Sequence, residues 1–194
     1  MWYNYNILCP VGGKGAAKGF SRRKGEVFGV RILGIDPGYA IIGFGVIDHE
    51  HGRFTLAEMG AITTNADMTF EARIRAIYLD MCELIKTYKP DEMSIEKLFF
   101  NTNQKTAIDV AQARGVIILP AIMQGIPIYE YTPLQVKSSI VGYGRAEKKQ
   151  VQEMVRTMLH LREVPKPDDT ADAVALAITH ALSLTTRKQL EKYG

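Results

Sequence analysis

Two apolar segments of this chain each run into a carboxylate. Arg31-Ile32-Leu33-Gly34-Ile35 ends at Asp36, followed by Pro37-Gly38, and Glu92-Met93-Ser94-Ile95 ends at Glu96. A third acidic site, Asp168-Asp169-Thr170-Ala171-Asp172, opens a later apolar segment. A carboxylate beside buried residues is costly unless it is paired or binds a cation. No histidine or cysteine shares this spacing, so the chemistry implied is an all-oxygen site for a hard divalent metal, Mg²⁺ or Mn²⁺. Two such ions about 3.5–4 Å apart, bridged by shared carboxylates, would activate a water and stabilise a leaving oxygen. That is the chemistry of phosphodiester cleavage. It needs no side-chain nucleophile, and none is apparent.

Each acid has an ordinary role when taken singly. Asp36 suits an Asp-Pro-Gly turn, Glu96 a solvated strand end, Asp168 or Asp169 a helix N-cap, and Asp172 the positive start of a helix. Together they ask for more. If the strands ending at Asp36 and Glu96 are neighbours, the two carboxylates lie side by side at one sheet edge. Asp172 shares a helix face with either Asp168 or Asp169, and docking that helix on the sheet would bring the groups to one point.

The elements that must do this are legible. Strands are expected over residues 31–36, 40–48 and 53–63, joined by short turns, with His49-Glu50-His51-Gly52 as one of them. A helix over 70–88 carries Ile74, Ile77, Tyr78, Met81, Leu84 and Ile85 at helical spacing and stops at Pro90. A strand follows at 92–96, then a helix over 105–124, a short strand at 127–131, and helices at 133–141, 146–161 and 168–186. The helix over 105–124 is apolar on more than one side, which fits a central core helix or one that also forms a dimer seam. Arg114 within it reads as structural, pairing with a carboxylate or capping backbone. The order βββαβαβααα describes an α/β domain with a mixed five-stranded sheet flanked by helices. It is the order of the ribonuclease-H-like (retroviral-integrase-like) fold.

A chain of 194 residues, 46% hydrophobic and 23% charged, suits one globular domain. Residues 30–186 are expected to form it, with 187–194 as a C-terminal tail. Residues 1–29 are Gly-rich and basic without helix or strand period. They read as a disordered arm that adds phosphate affinity, or as a mis-assigned start with the true one at Val30. No apolar run reaches membrane-span length and no signal peptide is apparent. Cys9 and Cys82 read as reduced thiols of a cytoplasmic protein. Net charge is only +3, but Lys137, Arg145, Lys148 and Lys149 cluster against the single acid Glu147, as a phosphate-binding patch would. Phe99 and Phe100 follow Glu96 in a polar loop. Phe99 is expected to be exposed, where an aromatic stacks on an unpaired base for about 1–3 kcal/mol. The four histidines, His49, His51, His160 and His180, have no ligand spacing, and His49 and His51 are expected to decorate a turn.

From about Arg31 to Leu184 the chain resembles the RuvC family of bacterial Holliday junction resolvases. The motifs are Gly34-Ile35-Asp36-Pro37-Gly38, Ser94-Ile95-Glu96-Lys97-Leu98-Phe99, Ala111-Gln112-Ala113-Arg114-Gly115-Val116, Gln135-Val136-Lys137, Val141-Gly142-Tyr143-Gly144, Ala146-Glu147-Lys148 and Asp169-Thr170-Ala171-Asp172-Ala173. The extension over residues 1–29 departs from the family pattern. The resemblance implies a homodimeric endodeoxyribonuclease that cuts four-way DNA junctions by paired symmetric nicks, in homologous recombination and DNA repair. It implies two Mg²⁺ per active site, with Mn²⁺ able to substitute. It places catalytic metal ligands at Asp36, Glu96, Asp169 and Asp172, with Asp168 as an alternative to Asp169. It also implies DNA contacts at Lys137 and Lys148, an aromatic at Phe99 facing the junction centre, and the RuvA–RuvB branch-migration complex as partner. Two other classes compete. An actin-like or sugar-kinase ATPase shares a strand-Asp-Gly phosphate loop but needs a second lobe, and a non-catalytic junction-binding module would lack the acidic set.

Overall fold

The structure, a computed structural model, describes residues 29–98 and 104–193. The expected N-terminal arm, as far as residue 28, and the expected base-stacking Phe99 lie outside the described residues.

Strands β1 (Val30–Asp36), β2 (Ile41–Glu50) and β3 (Arg53–Thr63) form an antiparallel meander. Helix α1 (Phe70–Tyr88) follows, then β4 (Glu92–Glu96), α2 (Gln104–Met123), β5 (Ile128–Tyr131), α3 (Pro133–Val141), α4 (Lys148–Met158) and α5 (Asp168–Tyr193). The sheet order is β3-β2-β1-β4-β5, with β4 parallel to both β1 and β5. A mixed five-stranded sheet flanked by helices is the architecture expected of the ribonuclease-H-like fold.

Alternation along β1 sorts its side chains between two cores. Leu33 and Ile35 pack with Ile77 and Met81 of α1 and Ile117 of α2. Ile32 packs on the other face with Ile140 of α3, Val155 of α4 and Ile178 of α5. Asp36 follows Ile32 and Gly34 onto that second face, beneath α5.

Local signals explain the element ends. Thr69 caps α1 by accepting from the Ala72 amide, and Thr132 with Gln135 forms a capping box on α3. Three elements differ from expectation by two residues or more. His49 lies within β2 and stacks on Phe54, so the hairpin turn is only His51 and Gly52, both with positive φ. Helix α4 is shorter than expected, because Glu147 makes a capping box with Gln150 and the left-handed His160 follows its end. Helix α5 runs on to Tyr193, since no glycine or proline interrupts it before Gly194.

Helix α2 buries Ala113, Ile117 and Ala121 but leaves Ile108 64%, Leu119 42% and Ile122 56% exposed. Its Arg114 pairs with Glu130 of β5, the structural role expected of it. A buried polar set ties β5 to α5: His180 Nδ1 lies 2.7 Å from Tyr131 Oη, and the imidazole stacks on Tyr129. Among the described residues no helix is long and apolar enough to cross a membrane.

Candidate active site

The register of β1 and β4 pairs Ile35 with Ile95, so the next residues, Asp36 and Glu96, end neighbouring parallel strands together. The third acidic group arrives on α5, which packs directly on β1 and β2. Glycines make the close approach possible. A Cβ at Gly34 would strike the Ala173 carbonyl, and one at Gly43 would strike the Asp169 carbonyl. Both positions read as ordinary strand glycines in sequence. The signal that marks them is the alternation of Ile42, Phe44 and Val46 with Gly43 and Gly45, which leaves one strand face bare.

The result is a concentration of negative charge at a half-buried edge. The Asp36 carboxyl is pushed up to about 8, first by burial and then by Glu96, Asp172 and Asp169, and it hydrogen-bonds Glu96. Burial also raises Glu96, with Asp172 adding to it, while the Asp36 hydrogen bond and Lys148 oppose the rise. Asp172 is raised by burial against the pull of Lys148. Raising of neighbouring carboxyls in this way is the behaviour of like charges forced together.

Asp168 and Asp169, left as alternatives by the sequence, face different groups. Asp169 contributes to the field at Asp36. Asp168 is exposed and is held below the ordinary carboxylate range, chiefly by its bond to Lys148. Lys148 Nζ lies 2.9 Å from Asp172 and 3.3 Å from Asp168. Burial alone would lower the Lys148 ammonium, but its bonds to Asp172 and Asp168 raise it overall. Sequence reasoning took Lys148 as a phosphate contact and missed this pairing, because a contact between α4 and α5 leaves no trace in local spacing.

Glu96, Asp172, Lys137 and Lys148 line a cleft of about 230 Å³ floored by Val136, Val151 and Leu176. Lys137 therefore stands on the carboxylate edge as well. Arg145 is exposed on the turn before α4 and is not among the residues lining the cleft.

As they are placed, no three His, Cys, Asp or Glu side chains among the described residues are grouped so as to hold a metal ion. Lys148 holds Asp172, and Asp36 is bound to Glu96. The residues nonetheless fit a hard divalent cation. The donor set is all oxygen, and a carboxyl raised to about 8 by burial and acidic neighbours is what a bound cation would relieve.

The chain is similar to known proteins over most of its length. Residues 32–180 match the family described as Crossover junction endodeoxyribonuclease RuvC. The chain is 58% identical over 152 residues to the crossover junction endodeoxyribonuclease RuvC of Brevibacillus brevis, covering 78% of this chain and 92% of that one. It is similar to the solved structure of Thermus thermophilus RuvC, with a TM-score of 0.74, 32% identity, and coverage of 81% of this chain and 96% of that one. The same Thermus protein in complex with Holliday junction substrate matches with a TM-score of 0.74 and 30% identity, covering 80% of this chain and 96% of that one. A carboxylate edge built by β1, β4 and α5, on a chain matched from Ile32 to His180, places this protein in a known group: it belongs to the RuvC family of crossover junction endodeoxyribonucleases.

Proposed function

We propose that the protein is a cytoplasmic, metal-dependent endonuclease that resolves four-way (Holliday) junctions in homologous recombination and DNA repair. The observation that carries this reading is the pairing of Asp36 and Glu96 at the ends of neighbouring parallel strands, under the start of α5 that brings Asp169 and Asp172; burial and these acids raise the Asp36 carboxyl. A buried acidic edge of this kind is a liability in a merely structural protein and an asset in one that holds cations.

Asp36, Glu96, Asp169 and Asp172 would hold two Mg²⁺, or Mn²⁺ in its place. Bound there, the ions would supply activation of water and stabilisation of the leaving 3′ oxygen. The chain's own residues do the rest. Lys137 and Lys148 stand at the cleft as cations for the phosphates flanking the cut, and Arg145, exposed on the turn before α4, would offer a further contact outside it. Phe99, three residues after Glu96, would stack on an unpaired base at the junction centre.

A second copy of the chain completes the reading. A four-way junction has two-fold symmetry, and a C₂ dimer presents one site to each of two strands, giving paired symmetric nicks. The exposed apolar residues Ile108, Leu119 and Ile122 on α2 support that helix as the seam. Membership of the family supports RuvA–RuvB as the partner that delivers the junction.

The test is nicking of a mobile synthetic four-way junction against linear duplex, with Mg²⁺ and with EDTA, comparing wild type with Asp36→Asn. Paired, metal-dependent cutting of the junction alone, lost in Asp36→Asn while junction binding persists, is the expected outcome. Binding without cleavage by wild type would replace the enzyme with a junction-binding module.

A further inference from the structure

Asp168 stands apart from the other acids. It is not among the groups that raise Asp36, although with Asp169 it raises Asp172. Its carboxylate pairs chiefly with Lys148, which it shares with Asp172, and also bonds Gln152. We propose that Asp168 is a positioning residue: it retains Lys148 at the cleft when Asp172 turns to a divalent cation. This rests on the reading that the carboxylate edge binds such a cation.

The geometry makes the argument. Lys148 opens α4, while Asp168 and Asp172 lie one turn apart on α5, so a single ammonium bridges both carboxylates. A cation held by Asp172 would compete with Lys148, whose ammonium lies 2.9 Å from that carboxylate. With Asp168 in place, the ammonium gives up one partner and keeps the other. Without it, the ammonium either holds Asp172 against the cation or is released to solvent with no partner. Asp168 thus makes the exchange easier, and it leaves a positive charge on the cleft wall where a phosphate arrives. The side chains of Lys148 and Asp168 are 50% and 63% exposed, so the effect is that of a partly solvated pair and is modest. The exposure also gives the group room to move without repacking the core.

The alternative roles are distinct. One is a direct ligand, the other one more negative charge attracting cations. Either would act with or without Lys148. The test is therefore a double-mutant cycle read by Mn²⁺ binding alone, following free Mn²⁺ by electron paramagnetic resonance with no DNA present. Asp168→Asn should raise the Mn²⁺ concentration for half-occupancy by about three- to fivefold, the size of one partly exposed ion pair. In a Lys148→Met background the same substitution should change it little. Asp168→Glu, which keeps the carboxylate, should restore binding to near the wild-type value. Circular dichroism checks that each variant is folded.

An equal effect of Asp168→Asn in both backgrounds would overturn the proposal in favour of a ligand or a bystander charge. No effect in either background, or tighter Mn²⁺ binding, would overturn it as well. Failure of wild type to bind Mn²⁺ at all would remove the metal reading itself, a different result from lost coupling.

Discussion

His180 Nε2 lies 2.5 Å from Glu92 Oε2, with the imidazole wholly buried and the Glu92 side chain 17% exposed. The pair fastens α5 to the start of β4, and Tyr131 on His180 Nδ1 extends it to β5. Those three elements carry or flank Glu96, Asp169 and Asp172. Removing one partner of such a pair leaves the other buried without compensation. His180→Ala is expected to cost about 3 kcal/mol or more in urea unfolding. Adding Glu92→Gln to that variant should recover part of the loss. A cost below 1 kcal/mol, on the order of a surface pair, would show the network to be dispensable.

The raised Asp36 carboxyl predicts a pH dependence with a definite sign. Its ordinary value is 3.8 and its value in the fold is about 8. Below the first, folded and unfolded chains both hold the proton and nothing is lost. Between the two, the unfolded chain has ionised while the fold must keep the proton, so stability falls as pH rises. Above the second, the loss levels off. Glu96 and Asp172 are raised too and act in the same direction. Thermal melts in EDTA should therefore show decreasing stability from acid to mildly alkaline pH. Asp36→Asn should flatten the curve and be more stable by about 1–3 kcal/mol at the alkaline end. A wild-type curve parallel to that of Asp36→Asn would refute the assignment.

The glycine platform predicts a linked loss of stability and function. Gly43→Ala sets a methyl against the Asp169 carbonyl and must lift the start of α5. Overpacking of this kind costs about 1–3 kcal/mol. Junction cleavage should fall further than stability alone explains, because Asp169 and Asp172 move away from Asp36. Gly52→Ala offers the comparison, since a Cβ there meets nothing although its φ is positive. It should cost stability without slowing a folded enzyme. Equal activity of the two variants at a temperature where both are folded would contradict the platform.

The α2 face predicts an oligomeric state. Leu119→Glu with Ile122→Glu introduces charge at positions that are 42% and 56% exposed, so the fold should persist. Sedimentation is expected to show the proposed dimer for wild type and a monomer for the variant, whose nicks should then be independent single events. An unchanged dimer mass would move the seam elsewhere.

Much of the fold is written locally. The order of ten elements follows from hydrophobic period and from breakers such as Pro90, and the positions of β3, α1, β4 and α3 agree end for end with their sequence signals. Errors fall where capping or a turn decides the end, at His49, at Glu147 and beyond Thr186. Local reading also finds the acids, because a carboxylate closing an apolar strand contradicts its surroundings. It even pairs Asp36 with Glu96, given only that β1 and β4 are neighbours.

What tertiary structure alone decides is which groups face one another. Asp168 and Asp169 are adjacent and chemically identical, and only the docking of α5 sends one to Lys148 and the other toward Asp36. His180 shows no ligand spacing, yet it pairs with Glu92, 88 positions away. The glycines of β1 and β2 matter only through the helix laid across them. Residue type and spacing record the strain that a chain must resolve locally. The partner that resolves it is chosen by packing between distant segments, which no local pattern encodes.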